Sequence, residues 1–172
     1  GWLAAGGFRA GEGAITWTAG DDLPKNTQVT IDFLGLTASN DAGLPAGTVT
    51  AISGTFLLST NGDQILAYQG VAPTAGDTSN FVTAIQMNAA WDSDATSDST
   101  SAQPSVFTDG VNSISITPEF DNAFYNCDTV DGTPAELRAA ITDSSHWTRS
   151  NTRLTPPGCM HTPVELQSFS VD

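Results

Sequence analysis

The 172-residue chain carries nineteen Asp and Glu against five Lys and Arg, a formal net charge of -14, and its pI lies near 4.1. Such a field repels nucleic-acid phosphates and anionic membrane surfaces, so nucleic acid is excluded as a partner and membrane insertion is not expected. Charged residues make up only 14% of the chain, against roughly 25% in ordinary soluble domains.

Ser, Thr, Gly, Ala and Asn take the place of the missing charges. A hydroxyl-rich, Lys-poor exterior suits a secreted β-protein, since Thr favours strands and Ser and Asn favour turns. The expected localisation is extracellular or at the cell surface. The alternative, an acidic halophilic cytoplasmic protein, would carry dense Asp and Glu across helices. No apolar stretch approaches the ~20 residues needed to span a bilayer. The chain starts at Gly1 with no charged and apolar leader, so the expectation is a soluble chain whose leader, if any, precedes it.

In chain order, Ala14–Thr18 is a short alternating run closed by Gly20-Asp21-Asp22. Gln28–Phe33 follows, with Val29, Ile31 and Phe33 on one face, and then Thr48–Ile52 and Thr55–Leu58. Asn61-Gly62 accepts positive φ and signals a hairpin into the run Gln64–Tyr68. Phe81–Met87 reads as strand or short helix, its β-branched content favouring the strand. Residues 92–104 form an acidic Ser/Thr-rich loop, a candidate for O-glycosylation.

Ser113–Ile116 is a further strand. Thr133-Pro134-Ala135-Glu136 is a capping box with Pro at the first helical position, and Leu137, Ala140 and Ile141 supply the apolar stripe of one short helix over 134–143. Val164–Val171 closes the chain as a strand whose apolar period slips between Leu166 and Phe169, as at a bulge. Many short strands with one helix predict an all-β fold, a β-sandwich, and residues 1–172 show no internal boundary or repeat.

Cys127 and Cys159 admit a single pairing. In an oxidising compartment they form a disulfide; otherwise they are two buried thiols. No C-x-x-C is present, so no redox or zinc motif is offered.

Catalytic signals are absent. His146 and His161 are the only histidines, neither stands in a nucleophile motif, and His146 beside Trp147 suits a capping role. No catalytic residue is assigned and no enzyme is expected. Asp92, Asp94 and Asp98 have a spacing similar to the start of a calcium loop, but Ser97 stands where Gly is needed and Gln103 where a bidentate Glu is needed. They are weak metal candidates, so no cofactor is expected beyond a weakly held calcium. Asp21, Asp22 and Asp63 read as turn formers. Trp2, Trp17, Trp91, Trp147, Tyr68 and Tyr125 are candidates for stacking on sugars, but their scattered spacing suits packing better. No N-x-[ST] sequon occurs.

Three segments together resemble a bacterial secreted β-sandwich domain related to the lamin-tail domain, as found in large surface and exported proteins. They are Gly1-Trp2 through Gly11–Ala19, then Leu57–Gly70, then Glu136–Ile141 with Trp147-Thr148. The resemblance implies a non-catalytic extracellular sandwich of lamin-tail or immunoglobulin-like architecture. It also implies one or two strands ahead of Gly1-Trp2, so one sheet is expected to keep an open edge, and such an edge invites a strand from another molecule. Head-to-tail exchange of this kind builds fibres. The expected function is a non-enzymatic structural protein, a pilus-like filament subunit whose partners are copies of itself. Val164, Leu166, Phe169 and Val171, or Trp2 and Leu3, are the donor-strand candidates. The alternative is an extracellular adhesion module that binds glycans or calcium through its loops.

Overall fold

A computed structural model of the chain describes all residues except 25, 26, 41, 55, 57, 156–158 and 160–172. The fold is all-β with one short helix. Nine strands occur among the described residues: β1 (Ala14–Thr18), β2 (Val29–Asp32), β3 (Thr37–Asn40), β4 (Pro45–Ser53), β5 (Gln64–Tyr68), β6 (Phe81–Gln86), β7 (Ile114–Ser115), β8 (Asn122–Tyr125) and β9 (Trp147–Ser150). The helix α1 spans Pro134–Ile141, and a 3-10 turn at Ser144–His146 leads into β9.

The strands form three sheets, ordered β1-β4-β3-β2, β5-β6-β7 and β8-β9. In the first, Trp17 pairs with Val49 and Ile31 with Ala38, while Thr16 pairs with Thr50 and Thr18 with Thr48. Alternation therefore gives this sheet one apolar face and one exposed threonine face, and the Thr–Thr pairs stabilise it across strands. Its register shifts between β3 and β4. Gly47 sits at that shift with φ 117, and a Cβ there would strike the Thr18 carbonyl, so only glycine fits.

The main apolar cluster lies elsewhere. It joins Trp2, Phe81, Ala84, Ala102 and Phe107, with Phe8, Leu66, Tyr68 and Trp91 packed around it. Trp2 meets Phe81 edge-on at 5.1 Å and Phe8 at 5.3 Å, and Phe81 meets Phe107 at 5.2 Å. None of these residues belongs to the four-stranded sheet. The core is one face of β5 and β6, roofed by the N-terminal segment and the 92–107 stretch.

Local signals explain α1 well. The Thr133 hydroxyl accepts from the Glu136 N–H, and the Glu136 carboxylate accepts from the Thr133 N–H, so the capping box is closed. His146 Nδ1 lies 3.1 Å from the Ala140 carbonyl at the helix end, consistent with a capping role. The Asn61-Gly62 turn forms, with Gly62 at φ 75. β5 takes β6 as its antiparallel partner, while residues 55 and 57 of the run expected before the turn lie outside the described residues. Pairing with β6 puts Tyr68 and Leu66 beside Phe81 and Ala84 in the core. Val164–Val171 and His161 lie outside the described residues.

Candidate functional site

Cys127 and Cys159 form the disulfide, with their Cα atoms 5.3 Å apart. The bridge carries the chain back to the four-stranded sheet, where the Cys159 N–H donates to Gln28 Oε1, 3.2 Å away, just before edge strand β2.

The acidic loop is held by its own aspartates. Asp92 Oδ2 accepts from the Ser101 N–H and from Gln86 Nε2. Asp94 Oδ1 accepts from the N–H groups of Ala4 and Ala95 at 2.8 and 2.9 Å. Asp98 Oδ1 lies 2.7 Å from Arg9 Nη1. Each carboxylate thus faces a different donor, and no cluster of three His, Cys, Asp or Glu able to hold a metal occurs among the described residues. The calcium-loop spacing belongs to a loop pinned to the N-terminal segment and to β6.

Trp2 and Leu3 are not presented as a free strand. Trp2 is 4% exposed; its N–H donates to Ser101 Oγ, its carbonyl accepts from Ala102, and a bridge pairs it with Phe8 around a tight turn. A donor role for this segment would require it to leave the core it fills. The six candidate stacking aromatics are likewise engaged. Trp17 Nε1 donates to the Ala46 carbonyl, Trp91 Nε1 to Asp109, Tyr68 packs on Phe8, and Trp147 packs on Tyr125.

A polar pocket that the sequence did not reveal opens between the Arg9–Gly13 segment, the connection from β4 to β5, and the acidic loop. Its volume is about 360 Å³, and Arg9, Glu12, Phe56, Asp63, Gln64 and Asp98 line it. Arg9 Nη1 bridges Glu12 Oε1 at 2.9 Å and Asp98 Oδ1 at 2.7 Å, so one guanidinium ties the loop to the strand entry. Glu12 Oε1 also lies 3.2 Å from the Gly1 amino group.

Asp63 is only 9% exposed. It does hold the turn, since Oδ2 accepts from the Ser59 N–H at 3.0 Å, but it does so from inside the protein, with Oδ1 accepting from the Gln64 N–H and side chain, each at 2.8 Å. Burial raises its pKa above the ordinary aspartate value, against the pull of those backbone donors. Gln64 is 7% exposed. Its Nε2 donates to Asp63 and, at 3.0 Å, to the Asp98 carbonyl, and its Oε1 is a buried acceptor without a hydrogen-bond partner. The sequence signal was faint: Asp63-Gln64 follows a turn and opens a strand, which ordinarily means solvent.

Among the described residues no helix is long and apolar enough to cross a membrane. No family model, curated protein sequence or solved structure matches the chain.

Proposed function

We propose that the chain is a non-enzymatic extracellular structural protein whose copies join into a pilus-like filament, each completing a sheet of the next with a donated strand. The observation that carries the reading is that β2 has no further strand beside it among the described residues. That strand is the last in the β1-β4-β3-β2 order, and the disulfide sets Cys159 beside its start. Backbone N–H and C=O groups along a sheet edge form a template for an added strand.

The residues that follow Cys159 include Val164, Leu166, Phe169 and Val171, an apolar set suited to that edge. Between the two donor candidates, the C-terminal one is favoured because Trp2 is already committed to its own core. The disulfide and the hydroxyl-rich acidic composition support an extracellular location. The resemblance to lamin-tail sandwiches belongs to the same reading, as a scaffold that carries no catalytic residues.

Electron microscopy of the purified full-length protein tests this. Filaments should form at high concentration and disappear in the double substitution Val164→Asp, Leu166→Asp, whose circular dichroism spectrum and melting temperature should match the parent's. Discrete monomers at every concentration, or filaments indifferent to the double substitution, would refute the reading.

A further inference from the structure

The structure assigns Asn61 as a site of spontaneous covalent modification, independent of the filament reading: its side-chain amide is displaced by the Gly62 nitrogen, leaving an aspartyl or isoaspartyl residue in the turn that leads into β5.

Three observations single this residue out. Asn61 is exposed, so water reaches its amide carbon and ammonia can leave. Its side chain makes no hydrogen bond among the described residues, whereas every other described asparagine is held by its side chain, Asn40 by the Leu44 N–H, Asn88 by the Ser99 carbonyl and the rest likewise. The Gly62 N–H carries no hydrogen bond among the described residues either, unlike the locked amides of a ladder. The packing also demands this dipeptide. Gly62 has φ 75, and a Cβ there would lie 2.7 Å from the Asn88 backbone, so no side chain can shield the nitrogen.

Nucleophile and carbonyl are neighbours in the chain, which replaces a bimolecular encounter with a ring closure. Solvent base takes the Gly62 amide proton, and the nitrogen attacks Asn61 Cγ. The new N–Cγ bond closes a cyclic imide, the Cγ–Nδ2 bond breaks, and ammonia leaves with the proton returned by the base. Water then opens the imide. Cleavage of the N–Cγ bond restores the ordinary backbone with an aspartate, and cleavage at the Asn61 carbonyl carbon routes the chain through Cβ and Cγ as isoaspartate. Both products add a negative charge, but only isoaspartate lengthens the backbone, by a methylene. The turn has no slack for it: Gly62 packs on Asn88, the Met87 N–H donates to the Asp63 carbonyl at 2.7 Å, and Asp63 Oδ2 accepts from the Ser59 N–H at 3.0 Å.

The test ages ¹⁵N-labelled full-length protein in mildly alkaline buffer, with and without urea, and follows each asparagine by side-chain amide NMR and peptide mass mapping. In the native protein Asn61 should be lost at least about tenfold faster than any other described asparagine, and within about tenfold of its own rate in urea, because nothing in the fold restrains it. Faster amide exchange at Asp63, Gln64 and Met87 should accompany the isoaspartyl product and be absent from Asn61→Asp, which adds the charge alone. Asn61→Ser should keep these amides unchanged on ageing. The proposal is overturned if another described asparagine is lost as fast as Asn61, if folding slows Asn61 by more than about tenfold, or if Asn61→Asp loosens the same amides without ageing.

Discussion

Reducing the Cys127–Cys159 bridge is the perturbation whose size follows most simply from the structure. The two residues stand 32 apart in sequence, and closing a loop of that length removes about 12 cal/mol/K from the unfolded chain in the loop-entropy model, or about 3.7 kcal/mol at 25 °C. For a chain of this length each kcal/mol moves the midpoint by about 2–4 °C, so reduction should lower Tm by about 7–15 °C. Circular dichroism melts with and without a phosphine reductant, beside a Cys127→Ser, Cys159→Ser double variant, measure the shift. The reduced protein and the double variant should agree, because the effect lies mainly in the unfolded state. A shift below about 2 °C would mean that the bridge does not constrain the unfolded ensemble in this way, and the reasoning would fail.

Three further outcomes are expected. Phe81→Ala removes the ring that Trp2, Phe8 and Phe107 surround, and should cost about 3–5 kcal/mol in urea unfolding; a loss near 1 kcal/mol would show that the core lies elsewhere. Thr133→Ala opens the capping box at α1 and should cost about 1 kcal/mol, with faster amide exchange confined to the first turn of the helix. In a carboxyl NMR titration, Asp63 should titrate above 3.8, the ordinary aspartate value, and Asp77 and Asp143 below it. The linkage signs then oppose one another: ionising Asp63 costs stability as pH rises past 3.8, whereas the hydrogen-bonded surface pair adds stability present above 3.8 and lost as pH falls through their lowered values. Asp63 titrating below that value would contradict the buried placement.

Strands with strict alternation and a turn at each end were legible in the sequence: Ala14–Thr18 and Gln64–Tyr68 coincide with β1 and β5, and Phe81–Gln86 is a strand. The α1 cap was legible because it is built from residues three apart. What local pattern does not encode is pairing. β3, with the sequence Thr-Ala-Ser-Asn, has little apolar content and becomes a strand because β2 and β4 flank it. β8 and β9 are drawn from segments 22 residues apart and beyond, such as Tyr125 opposite Trp147. The pocket was hidden for the same reason: Arg9, Gln64 and Asp98 converge only through contacts 34 and 89 residues apart in the chain. Spacing alone also does not reveal that Asp92, Asp94 and Asp98 accept from five separate hydrogen-bond donors, the N–H groups of Ala4, Ala95 and Ser101 and the side chains of Gln86 and Arg9.

Sedimentation velocity of the full-length chain over a wide concentration range tests the assembly account most directly. Copies that complete one another's sheets should give a distribution that climbs steadily with concentration, without a preferred stoichiometry, and Val164→Asp with Leu166→Asp should collapse it to one species of 17.8 kDa. A parent protein that sediments at 17.8 kDa throughout would contradict it.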